Sequence, residues 1–342
     1  FKEINRMAQL TGSEISMHAP IVDPSGFTRE GWSEASRKEA ERALISVLGR
    51  SNEANPKGNI IVTVHSNAGV PGTTWTKPVD GEKEAIGVVE RETGKMGMAQ
   101  REKLWYPEEV EKGKPRVYTP EERLKVMNDT QWINQTTSLL QLKNEGDRLF
   151  QNSWKTLAPV YDKIKTDPKT KTPVIDLGNG NVQPLNHAQM ASWQQMEKAG
   201  ILYHDVAARF QGLFDKAYKH YNEWYKDSPT LEQEAKNRIR LIEKAKKGAT
   251  KLQLKEMRLP SGPISVDSLK HQIVKSGREK LNEIAKEWNK GYNDTPELSI
   301  KLDDAISVLH SLPAPETYST TENFVKEKAS ETFSSAALAS YK

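Results

Sequence analysis

The chain has 342 residues, 36% of them apolar, and its 50 Lys and Arg against 46 Asp and Glu leave a net charge of +4. So small an excess does not by itself mark a nucleic-acid partner, the lack of cysteine excludes disulfides and thiolate metal sites, and no apolar run approaches the roughly 20 residues that cross a bilayer. A soluble, folded and heavily solvated chain is expected, cytoplasmic, with no membrane partner and long enough for two domains or one barrel with an insertion.

In chain order, residues 1–11 read as a helix with Phe1, Ile4 and Ala8 on one face. A strand is predicted at 14–18, a helix at 28–49 with Ala40, Leu44, Val47 and Leu48 inward, and further strands at 60–65 and 85–90. Strand, helix, strand at this spacing predicts a parallel unit, with Gly12, Gly49 and Gly58 where helices should end. Thr119-Pro120-Glu121-Glu122 then opens a helical stretch to about residue 166, because it supplies a capping hydroxyl, a proline at the first helical position and two acids at the positive end of the dipole.

Residues 167–185 form a polar connector with an Asn179-Gly180 hairpin signal. Helices resume at 187–226, 229–247 and 265–290, so 119–292 reads as an all-helical block of about five helices. Leu298, Ile300 and Leu302 alternate with polar residues as a strand or extended return would. A proline-rich turn at 312–316 and the capping box Ser319-Thr320-Thr321-Glu322 lead into a terminal amphipathic helix. A chain that opens on Phe1 inside a helical pattern and closes on a helix at Lys342 reads as a piece of a longer protein.

Three of the predicted strands end on a side chain able to bind a metal: His18 after Ile15-Ser16-Met17, His65 after Ile61-Val62-Thr63-Val64, and Glu90 after Val88-Val89. Imidazole nitrogen and carboxylate oxygen both suit zinc and related ions, and α/β enzymes gather their sites at the C-terminal ends of parallel strands. Any one strand-end histidine is more often a hydrogen-bonded structural residue, so the ordered trio carries the argument.

These landmarks, His18-Ala19-Pro20, Val64-His65-Ser66 with Gly69, and Val89-Glu90-Arg91-Glu92-Thr93-Gly94-Lys95-Met96-Gly97, resemble three successive ones of the xylose-isomerase-like TIM barrels, particularly the endonuclease IV branch. The resemblance covers residues 1–100. It implies a divalent metal (zinc, manganese or magnesium) held by His18, His65 and Glu90, with Glu90 also catalytic, and a sugar, sugar-phosphate or phosphodiester substrate. The departures are plain: Ser66-Asn67 stands where the family has Pro-Gly, Arg91-Glu92 where it has Asn-Thr, and the family's later Asp-Thr-Cys-His landmark is missing. Asp176, His204 and Asp205 are the substitutes for it that the sequence offers.

The expected fold is therefore α/β and helix-dominated: an incomplete TIM-barrel-like region at 1–118, a helical insertion at 119–292, and a return segment with the terminal helix at 293–342. The rival reading is a non-catalytic binding or scaffolding protein, with a degenerate barrel and the helical block as its protein-partner surface. The run from Lys236 to Arg258 holds nine cations against Glu243 and Glu256, a nucleic-acid contact if it is more than a solvated face. Trp132, Phe150, Trp154, Phe210 and Tyr221 sit at helical spacing and are expected in the core, and His187, His220, His271 and His310 are read as structural or surface residues.

Overall fold

A computed structural model describes residues 1–28, 31–56, 60–64, 74–105, 113, 115–224, 229–247, 264–292 and 294–340. They fall into two compact units, Phe1–Asn128 with Ser228–Glu234 and Glu316–Lys342, and Asp129–Asp227 with Ala235–Pro315.

The first unit opens with α1 (Lys2–Thr11), closed by Gly12, whose φ of 67° lets its N–H reach the Ala8 carbonyl. Next come β1 (Ser16–His18), the hairpin strands β2 (Phe27–Thr28) and β3 (Gly31–Trp32), α2 (Glu34–Ala54) and β4 (Ile61–Thr63). β1 and β4 pair in parallel with His18 opposite Thr63, so the expected β-α-β unit forms. Its helix starts at Glu34 rather than 28, because Phe27–Trp32 pair as a hairpin and the Ser33 hydroxyl accepts the Ser36 N–H at 3.1 Å. Gly49 lies inside α2, which runs on until Asn55 caps it. Leu44 and Val47 of α2 bury together with Ala19, and Met17, Val62 and Val64 pack against them from the strands.

Beyond them lie β5 (Thr74–Thr76), β6 (Lys83–Glu90), β7 (Met96–Gln100), β8 (Glu102–Leu104) and β9 (Arg116–Tyr118). β6 corrects the expectation of a third parallel strand, since it runs antiparallel to β5 and β7. The continuous apolar run Ala85–Val89 records burial on both faces, and a central antiparallel strand satisfies that as well as a parallel one.

Helix α3 (Pro120–Leu157) begins in the first unit and continues into the second from Asp129. It stops short of the expected 166, and β10 (Ile164–Thr166), β11 (Pro173–Gly178) and β12 (Asn181–Pro184) form a small antiparallel meander. Asn179 and Gly180, with φ of 54° and 80°, make its tight turn where the Asn-Gly signal stands. The capping box Asn186/Gln189 opens α4 (His187–Lys219), followed by a π-helical turn at His220–Trp224, α5 (Pro229–Lys247), α6 (Val266–Trp288) and α7 (Thr295–Ser311). Helix α7 corrects the strand expected at 298–302: Asp294 accepts the Glu297 N–H at 3.0 Å, Pro296 starts the helix, and Leu298, Leu302, Ile306 and Leu309 form one buried stripe while Ile300 is 64% exposed. Leu157, Ile175, Leu185 and Met196 make one core cluster of this unit. Tyr203 buries its ring over Gly146, where a Cβ would overlap it.

The chain re-enters the first unit at Glu316 through β13 (Tyr318–Thr320), which pairs antiparallel with β6, and α8 (Thr321–Ser340). Ile86 and Val88 of β6 pack on Leu124 of α3, while Val89 packs on Phe324 of α8. The Asn128 amide grips β13 like a neighbouring strand, donating to Tyr318 O at 3.0 Å and accepting Tyr318 N–H at 2.7 Å. Helix dominates, and among the described residues the sheets have two to four strands and none closes into a barrel.

Candidate functional site

Alternation along β1 sends Met17 into the α2 core and leaves His18 exposed on the opposite face. Its imidazole sits at the C-terminal end of the strand with Nδ1 2.7 Å from the Ala19 carbonyl oxygen, a contact that requires the proton on Nδ1. Ala19 itself is buried and extends the parallel ladder, donating its N–H to Thr63 O at 2.9 Å. The backbone around His18 is thus held by both the sheet and the core. His65, the second histidine of the trio, lies outside the described residues.

Glu90 closes β6 and pairs across to Tyr318. Its Oε2 accepts the Thr93 hydroxyl at 2.7 Å, its N–H donates to Lys95 O at 2.9 Å, and its carbonyl accepts the Gly94 N–H at 2.8 Å. Gly94 has a φ of 70° and rests on Trp32, where any Cβ would overlap the indole. The Thr93-Gly94-Lys95 segment that carries the resemblance therefore builds a tight turn holding the Glu90 carboxylate. His18 and Glu90 belong to different sheets of the first unit.

Asp176, His204 and Asp205 belong to the second unit, each with a local partner. Asp176 accepts from Lys165 at 2.6 Å and from the Gly178 N–H at 2.9 Å, and these hydrogen bonds hold its carboxyl below the usual carboxylate range. His204 Nδ1 is 3.2 Å from the Tyr292 hydroxyl, and Asp205 pairs with Arg209 at 3.1 Å. Among the described residues no three His, Asp or Glu side chains form a group able to hold a metal ion. A complete ligand set would have to draw on residues outside them, and His65 is the one the sequence points to.

An open cleft of about 1030 Å³ lies at the other ends of β1 and β4, lined by Ala8, Gly12, Glu14, Ser16, Asn55 and Ile61. It adjoins the N-terminal ends of the strands, opposite the end that bears His18.

Two buried ionic clusters escaped the sequence. Beside Glu90, Arg91 donates to Glu327 at 2.6 Å, to Glu316 at 2.9 Å and to Ser319 at 3.2 Å, with its own N–H on Thr317 O. Burial pushes the Glu316 carboxyl above its ordinary value, against the opposing pull of Arg91. In the second unit Lys143, 1% exposed, donates to Asp147 at 2.7 Å and Asp303 at 2.6 Å, and Asp147 also accepts from Tyr203 and Ser299. Burial and the neighbouring Asp147 raise the Tyr203 phenol. Asp147 lies four residues from Lys143 in α3, but Asp303, Glu316 and Glu327 come from distant segments, so no local pattern in the sequence announces either cluster as a whole.

Fold and site together define a helix-dominated α/β protein of two compact units, with one parallel β-α-β unit that ends on His18. The chain matches no family model, no curated protein and no solved structure. Among the described residues no helix is long and apolar enough to cross a membrane.

Proposed function

We propose that the chain is a metal-dependent enzyme of the xylose-isomerase-like type, its first unit an incomplete (β/α) barrel, acting on a sugar, sugar-phosphate or phosphodiester substrate. The observation that carries this reading is the position of His18: C-terminal end of β1, in a parallel β-α-β unit, on the face turned away from α2. His65 and Glu90 complete the proposed set. A divalent ion held there would polarise a substrate oxygen and acidify a bound water. The chain's own contribution is positional: the Ala19 carbonyl fixes the His18 tautomer, and Thr93 orients the Glu90 carboxylate.

The test is titration of the metal-stripped chain with Zn²⁺ and with Mn²⁺, followed by elemental analysis. Stoichiometric uptake that is lost in His18→Ala, His65→Ala and Glu90→Gln is the expected result, and a wild-type chain that takes up neither ion overturns the reading. Turnover of an abasic duplex or of a sugar phosphate then separates the substrate classes.

A second reading, a non-catalytic binding protein, is favoured by one observation: β6, which carries Glu90, sits in an antiparallel sheet instead of continuing the β1-β4 pair. On that reading His18→Ala leaves every property but local contacts unchanged.

A further inference from the structure

We propose that the groove between α6 and α7 is a binding site for a small organic cation, an ammonium group carried on an apolar body the size of a benzene ring. The groove holds about 180 Å³ and lies wholly within the second unit. An apolar cavity of about 150 Å³ is already enough to bind benzene. The site does not depend on the proposed metal centre, whose His18 and Glu90 belong to the first unit.

The walls of the groove are apolar. Ile284 and Trp288 of α6 and Ala305 and Val308 of α7 line it, and the buried Ala305 offers only a methyl group to the space. Trp288 is half-buried and packs on Phe210 of α4 with ring centroids 4.8 Å apart. That contact holds the indole in place as an electron-rich wall, a surface that attracts a cation.

The rim sets the charge of the ligand. Its two amines are engaged at opposite ends of the groove: Lys280 donates to the Ser311 hydroxyl at 3.2 Å, and Lys301 donates to the Gly291 carbonyl and, at 3.3 Å, to that of Glu287, and pairs with Glu297 at 3.8 Å. Glu287 in turn pairs with Lys290 at 2.6 Å. Glu283 and Asp304, one on each helix, have no hydrogen bond or ion pair among the described residues, although Lys280 and Lys301 each stand three residues before them. Lys286 lies about 130° around α6 from the middle of the groove, on the opposite side. An apolar groove with an aromatic wall and two uncompensated carboxylates is complementary to a positive charge that brings apolar surface with it. An anion would meet both carboxylates, a neutral ring would leave them unused, and a metal ion would find carbon where it needs further oxygen ligands.

The experiment is an NMR titration of the full chain, carrying isotope-labelled tryptophan, with benzylammonium, following the indole N–H resonance assigned through Trp288→Phe. That resonance should move saturably. Benzyl alcohol and ethylammonium should each bind about tenfold more weakly, the first lacking the charge and the second the ring, and benzoate should not bind. Glu283→Gln/Asp304→Asn, at two exposed positions, should bring benzylammonium down to the affinity of benzyl alcohol with an unchanged thermal melt. Ala305→Leu should weaken benzylammonium and benzyl alcohol together by filling the groove, and His18→Ala should change neither. No saturable movement, equal affinity for benzyl alcohol or ethylammonium, undiminished binding in the double variant, or saturation by oligolysine in place of benzylammonium would each overturn the proposal.

Discussion

Arg91 and Glu316 are 225 residues apart in sequence, yet their side chains meet at 2.9 Å with exposures of only 7% and 1%. The contact joins the residue after Glu90 to the point where the chain re-enters the first unit, and Glu327 of α8 completes it at 2.6 Å. One guanidinium serves two carboxylates, and that asymmetry makes the cluster sensitive to change.

Arg91→Met removes the guanidinium that Glu316 and Glu327 share and leaves Glu316 buried without it. Loss of one partner of a buried pair costs about 3–5 kcal/mol. Urea denaturation should show a fall of that size, and adding Glu316→Gln should recover a large part of it by removing the stranded charge.

The same geometry predicts a pH dependence. Burial raises the folded-state value of Glu316 above the ordinary 4.5, so its protonated form is the one that folding favours. The associated stability is fully present below 4.5 and is lost as pH rises through the folded-state value. Urea midpoints should therefore fall across that window in wild type, and Glu316→Gln should flatten the fall. Arg91 stays charged throughout and contributes no slope.

Gly94→Ala tests the turn that holds Glu90. The left-handed backbone and the Trp32 indole both oppose a Cβ, for a combined cost of about 2–4 kcal/mol. Thermal denaturation reads that loss. If Glu90 belongs to a metal site, the variant should also bind the metal more weakly than its residual stability explains.

Lys143 separates its two partners by their exposure. Asp147→Ala strips hydrogen-bond partners from buried Lys143 and Tyr203 together, and should cost about 3–5 kcal/mol. Asp303 is 59% exposed, and Asp303→Ala should cost about 1 kcal/mol or less. Equal losses in urea denaturation would show that the network does not depend on Asp147 as its centre.

Much of the fold can be read from local residues. Gly12 ends α1, Thr119-Pro120 starts α3, Asn179-Gly180 turns the meander, and the apolar residues of β1 and β4 specify the parallel pair about α2. The misreadings came where two periodicities competed. Leu298, Ile300 and Leu302 satisfy alternation, but Asp294, Pro296 and the stripe continuing to Leu309 satisfy a helix over a longer span. Of the candidate site, His18 at the end of a parallel strand was legible, whereas the partners of Asp176 and His204 were not.

The amino-acid order alone settles where helices cap, where turns fall and which residues lie on one face of an element, because those interactions reach only a few residues along the chain. It leaves open which elements meet. The β13 neighbour of β6, the two carboxylates around Arg91 and Asp303 beside Lys143 come from distant segments. Burial brings them together: β6 is apolar on both faces and needs cover on each, and an ion taken out of water needs an opposite charge from whichever segment packs beside it.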